Sequence, residues 1–136
     1  LASFVKTTGG KGLHVVVPVA PEHDWPEAKG WAKAVAEAMA AEAPDKYLTR
    51  IAIAERAGRI FIDYLRNDPT STAIGPYSTR VRAGAPVATP LAWEELSEAL
   101  DPAGFNVGTV PARVAAQAED PWAGLLRLRQ RLPALI

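Results

Sequence analysis

The 136 residues allow one domain of ordinary size with a single core. Hydrophobic residues make up 49% and charged residues 22%, and no apolar run approaches the roughly 20 residues of a membrane helix, so a soluble globular chain without a membrane partner is expected. Fifteen Lys and Arg balance fifteen Asp and Glu, which excludes whole-chain attraction to nucleic acid but permits a local basic site; the absence of cysteine excludes disulfides, Cys-ligated zinc and a thiol nucleophile, and permits a reducing cytoplasm.

The first residue is Leu1 rather than Met, and Leu1 to Lys6 reads as the interior of a strand, so a piece of a longer polypeptide is expected. Leu13 to Val19 is a β-branched run between a glycine-rich turn and a proline, apolar on both faces, as a central strand would be. A helix should open at Asp24, with Pro26 in its first turn and Glu27 completing a capping box; Ala28, Trp31, Ala32, Val35, Ala38 and Met39 repeat at its period, and Pro44 ends it. Tyr47 to Ala54 suggests a strand, and Arg59 to Leu65 is the clearest strand of the chain. After a loop from Asn67 to Ser71, Thr72 to Val87 looks extended with breaks at Pro76 and Ala83-Gly84. Short helices are expected from Trp93 to Leu100 and from Thr109, and a last one from Asp120 carrying Leu125, Leu126, Leu128 and Leu132. The sum is an α+β domain with a mixed sheet.

Three features carry chemistry. Thr7 to His14, with glycines at 9, 10 and 12, is not a Walker A loop, because no Lys-Ser/Thr pair opens a helix. It offers close backbone approach to an anion beside a hydroxyl, the Lys11 ammonium and the His14 imidazole, or else it is a plain glycine hairpin. Asp63 shares a strand face with Phe61 and Leu65, which places a carboxylate in apolar surroundings; it then needs either an arginine partner or a divalent cation. Arg56, Arg59, Arg66, Arg80 and Arg82 outnumber Glu55, Asp63 and Asp68 in this stretch, a positive field hidden in the neutral total. Arg80 and Arg82 alternate along an extended segment and share a face, a pattern suited to phosphate oxygens as well as to an edge strand in solvent. The four tryptophans, at or near helix starts, read as packing anchors, and His23 lacks the spacing of a metal site.

Taken in order, the segments 4–14, 60–67, 76–82, 84–87, 90–96 and 120–122 resemble the polymerase domain of bacterial DNA ligase D, a member of the archaeo-eukaryotic primase superfamily. The resemblance implies a palm-like α+β fold, with a mixed or antiparallel sheet and flanking helices, and makes residues 1–136 a single domain, the C-terminal part of the family's polymerase domain. It places the family's Ser-Gly-x-Lys-Gly-x-His motif on Thr8 to His14, with Thr8 in place of serine. Thr8, Gly10, Lys11, Gly12 and His14 would then bind the triphosphate of an incoming nucleotide, together with Arg56, Arg66 and Arg80. Arg82 would lie near nucleotide or DNA, and Asp63 would be the third of three metal-binding aspartates, with His14 and Asp63 serving catalysis. The first two aspartates form an Asp-x-Asp pair upstream of the glycine loop in the family, and no such pair occurs in this chain. Where family members often carry basic residues before the Asp63 strand, this chain has Ile53 and Glu55.

The implied activity is nucleotidyl transfer in non-homologous end joining, using two Mn2+ or Mg2+ ions, nucleoside triphosphates and DNA ends. The implied partners are Ku and a ligase domain of the same polypeptide, and the implied location is the bacterial nucleoid within the cytoplasm. The alternative is a catalytically incomplete nucleotide- or DNA-end-binding module, motivated by the missing pair.

Overall fold

The computed structural model describes residues 1–50 and 58–134. Two compact units are present: Leu1–Val19 with Ile74–Gln130, and Ala20–Ala73 with Arg131–Ile136. Together their elements make the expected mixture of helices and strands.

The first unit is built on a three-stranded antiparallel sheet in the order β2 (Leu13–Val16), β1 (Phe4–Thr7), β5 (Pro90–Leu91). Being central, β1 is buried at Val5, Lys6 and Thr7. Val5 packs in a core with Val87, Ala88, Leu91 and Val110. A run of hydroxyl bonds locks β1 to the segment entering β5. Thr7 Oγ1 donates to the Val87 carbonyl at 3.2 Å and accepts from Thr89 N at 2.8 Å, while Thr7 N donates to the Thr89 carbonyl at 3.0 Å. Both threonines are fully buried, and these bonds satisfy polar groups that would otherwise be stranded in the core.

Trp93 and Trp122 are anchors, as expected: their indole N–H groups donate to the carbonyls of Ser3 and Val5, and Trp122 packs on Phe4 with ring centres 5.9 Å apart. The run from Leu13 is not a central strand. It ends at Val16 and forms an edge of its sheet, with Leu13 42% and Val15 57% exposed, because β-branched composition sets strand propensity and not position in the sheet.

Thr79 bridges Val87 across a hairpin whose tip, with Gly84 at φ +84° and Ala85 at φ +44°, turns where breaks were expected. The expected helix from Trp93 is only a 3₁₀ turn, Trp93–Glu95, because Leu96 leaves the helical path for extended backbone at φ −72°, ψ 116°; the Glu95 carboxylate accepts from Ala92 N and is held by Arg113. The helix at Thr109 forms as α2 (Val110–Ala116). The last expected helix is another 3₁₀ turn, Leu125–Arg127, since Gly124 at φ +86° breaks the helical path.

Arg113 ties α2 to the sheet. Its guanidinium makes a bidentate pair with Glu95 at 2.6 and 2.9 Å, donates to the Pro90 carbonyl and lies 5.3 Å over the Phe105 ring. The bonds from Arg113 hold the Glu95 carboxyl below its ordinary value, outweighing the opposing effect of burial. A depressed folded pKa contributes stability that is present above the unfolded value near 4.5 and lost as pH falls through the folded one. Arg113→Ala is expected to remove about 2 kcal/mol at neutral pH, measured by denaturant melts, and to flatten the loss of stability in acid.

In the second unit, α1 (Trp25–Glu42) starts as expected: Asp24 accepts from Glu27 N at 2.9 Å and Pro26 sits in the first turn. The Glu27 side chain pairs with His23 Nδ1 at 3.1 Å rather than closing a capping box. Trp31 donates to the Pro133 carbonyl. Strands β3 (Tyr47–Leu48) and β4 (Ile60–Phe61) pair in parallel. The rest of the expected strand to Ala54 falls largely outside the described residues, as do Ile53 and Glu55. The expected strand from Arg59 to Leu65 is reduced to two residues, because its ladder ends where Ile62 N donates to the Leu48 carbonyl.

Candidate triphosphate-binding site

The loop between β1 and β2 is shaped by its own first hydroxyl. Thr8 Oγ1 accepts from Gly10 N and donates to the Gly12 carbonyl, both at 3.2 Å. The threonine in the serine position therefore keeps its oxygen at work, as an internal strut of the loop. Gly9 adopts φ +78°, and a Cβ there would lie 2.6 Å from Arg80 Cδ. The loop and the Arg80 hairpin touch so closely that only glycine fits.

The arginines approach in the alternation read from the sequence. Arg80 Nη1 donates to the Thr8 carbonyl and Arg82 Nη1 to the Gly9 carbonyl, each at 3.3 Å, while Val81 between them is fully exposed. Each guanidinium has five donors in a planar fork, so this use of one nitrogen fixes the group while leaving others for phosphate oxygens. A recess of about 360 Å³, within the range of small-molecule sites, has Gly9, Gly10, Lys11, Arg82, Gly84 and Asp101 in its lining. Asp101 is the acid of that lining, and its Oδ1 accepts from Ala103 N at 3.0 Å. Among the described residues, Lys11, Arg80 and Arg82 have no carboxylate within ion-pair distance. Of the five arginines in the positive stretch read from the sequence, Arg80 and Arg82 lie at this loop, whereas Arg66 pairs with Asp63 in the second unit.

Lys6 escaped sequence reasoning, because a lysine in a strand ordinarily points to solvent. It is 2% exposed, and its Nζ lies 3.0 Å from His14 Nδ1 across the β1–β2 ladder. Burial lowers its pKa from 10.5 to about 8. The penalty for the buried charge is present below that value and is relieved as pH rises through it. The signal available in the sequence was its position, one residue from Val5 and Thr7 in a strand that is buried on both faces.

Thr8, Gly10, Lys11, Gly12, His14, Arg80 and Arg82 all belong to the first unit, whereas Asp63 and Arg66 belong to the second. Arg56 lies outside the described residues. Asp63 is not in apolar surroundings. The strand stops at Phe61, so its alternation does not reach residue 63; the carboxylate is exposed, accepts from Leu65 N at 3.0 Å and pairs with Arg66 Nε at 3.2 Å. Of the two partners considered from the sequence, the arginine is thus present beside it. Among the described residues no group of three or more His, Asp or Glu side chains could hold a metal ion, so the donors present do not by themselves fit a two-ion cradle. Among the same residues no helix is long and apolar enough to cross a membrane.

Comparison with known proteins bears on this arrangement. The family model for the LigD primase-polymerase domain matches residues 1–122. A multifunctional non-homologous end joining protein LigD from Pseudomonas aeruginosa is 38% identical over 135 residues, covering 98% of this chain and 16% of that protein. A bifunctional LigD from Bacillus subtilis is 33% identical over 118 residues, covering 86% of this chain and 19% of its own length. The chain thus spans less than a fifth of these relatives. The polymerase domain from Mycobacterium tuberculosis ligase D, solved in complex with DNA, superimposes with a TM-score of 0.79 at 32% identity, over 86% of this chain and 40% of that one. With the glycine loop, its two arginines and a family match over most of its length, the chain belongs to the LigD primase-polymerase domain family.

Proposed function

We propose that this chain supplies the triphosphate-binding part of a primase-like nucleotidyltransferase that extends DNA ends in non-homologous end joining, within a ligase D polypeptide. The observation that carries the reading is the glycine loop held from behind by Arg80 and Arg82. In such a site the forks of Arg80 and Arg82, with Lys11, His14 and the amides of Gly10 and Gly12, hold the anionic phosphates and offset the charge that develops on departing pyrophosphate. Arg56 and Arg66 are further contacts of the same kind. The partners proposed are nucleoside triphosphates, a DNA end, Ku and a ligase domain; the Mycobacterium tuberculosis neighbour, whose described complex contains DNA, supports the second of these. The proposed location is the nucleoid.

Mn2+ or Mg2+ is the proposed cofactor, with Asp63 contributing one hard oxygen ligand and His14 remaining with the triphosphate. Such ions, held in part by Asp63, would supply positive charge to the attacking hydroxyl and the leaving group. A second reading, a binding module without catalysis, draws on the finding that among the described residues no three His, Asp or Glu side chains are grouped so as to hold a metal ion.

Isothermal titration with ATP tests the common element of both readings. The chain is expected to bind ATP, and Arg80→Ala to weaken binding by about 10- to 100-fold, the loss of one or two charge-assisted bonds. Equal affinity in the variant would remove Arg80 from the site. Primer extension by the full protein then separates enzyme from module.

A further inference from the structure

Lys6 is a buried cation in the middle of a sheet, and among the described residues no carboxylate offsets its charge. Such a charge is expensive to bury and is kept where something else benefits from it. Its hydrogen-bonding neighbour is the ring of His14, at 3.0 Å on Nδ1. An ammonium has three protons and no acceptor, so a bond between these two nitrogens requires Nδ1 to be the unprotonated one. With Nδ1 accepting from Lys6, the ring carries a proton on Nε2.

Resting on the triphosphate reading above, we propose that Lys6 is a positioning residue of that site: its ammonium fixes His14 as the Nε2–H tautomer and stands behind the ring as a charge awaiting the anion. The pair acts as a relayed cation. The imidazole supplies direction and Lys6 supplies charge, which stays protected from solvent and from competing counterions. An anion at the site in turn stabilises the charged form of Lys6, so binding and protonation of this lysine reinforce each other.

Two variants separate the components. Lys6→Met removes both bond and charge; Lys6→Gln keeps an amide donor for Nδ1 without charge. ATP titration and the ¹⁵N resonances of the His14 ring are measured for each. In the unsubstituted chain, Nδ1 is expected to show the unprotonated signature before ATP is added. Lys6→Met is expected to lose about tenfold or more in ATP affinity and to mix the two tautomers, while melting no earlier than the parent, because a buried charge has gone. Lys6→Gln is expected to keep the tautomer and still lose affinity. If Lys6→Met fails to fold, Lys6→Gln decides by its affinity. Unchanged affinity in the folded variants, or a protonated Nδ1 in the parent, overturns the role of Lys6. No ATP binding by the parent overturns the triphosphate reading and this role with it, a result distinguishable because it precedes any substitution.

Discussion

Gly9→Val is expected to reduce ATP affinity by at least about a hundredfold, more than loss of either arginine alone, because one substitution damages two parts of the site. The backbone at residue 9 has φ +78°, where an L residue pays roughly 1–2 kcal/mol and a β-branched one more. The new side chain would also begin 2.6 Å from Arg80 Cδ and 3.0 Å from Arg80 Cγ, both belonging to the stem that carries the guanidinium. Arg80 must therefore move, releasing the Thr8 carbonyl it holds. Gly12→Ala is the steric control: no atom lies within 4 Å of a Cβ built there and its φ is not in the left-handed region, so the fold should tolerate it. Titration with ATP together with thermal melts of both variants checks the contrast. Retention of affinity in Gly9→Val would mean that the contact between loop and hairpin does not shape the site.

Asp63→Ala is expected to lower primer extension by the full protein by more than about a hundredfold, beyond the 10- to 100-fold typical of removing a group that merely supports a metal ligand. Stability should barely change. The side chain is exposed, and its pair with the largely exposed Arg66 is of the kind worth about 0–1 kcal/mol. Asp63→Asn retains an acceptor for Leu65 N but lacks a hard anionic oxygen, so it should fold like the parent and be equally inactive. Extension at parental rate by either variant would exclude Asp63 as a metal ligand. Loss of extension with ATP affinity intact would separate metal binding from phosphate binding.

The parts of the fold that were legible in the sequence are those decided locally. Asp24 and Pro26 define the start of α1 by chemistry within four residues, and Pro111 in the first turn does so for α2. The parts that were not legible depend on distant partners. The strand after Arg59 has the right composition, but its length is set by a ladder with Leu48 that stops after two residue pairs. The helical pattern after Trp93 gives a single 3₁₀ turn because Leu96 turns extended, and the Arg113 that holds Glu95 lies 18 residues away. In the candidate site, the glycine loop and the alternating arginines were legible because their arrangement follows from local spacing. Lys6 was not, since only the position of β1 between two neighbours buries it.

The buried bonds between Thr7 and Thr89 carry a consequence for how the site comes into being. They join residues 82 positions apart in the chain, and the glycine loop begins one residue after the first threonine, while the hairpin bearing Arg80 and Arg82 closes just before the second. The loop and its guanidiniums thus meet only when a contact of very long sequence separation has closed, a late and slow event by chain topology. A partly folded chain therefore lacks the juxtaposition of loop and guanidiniums on which the proposed site rests. On the proposed reading, a triphosphate bound at the loop would stabilise the finished sheet selectively, by an amount set by its concentration relative to its Kd.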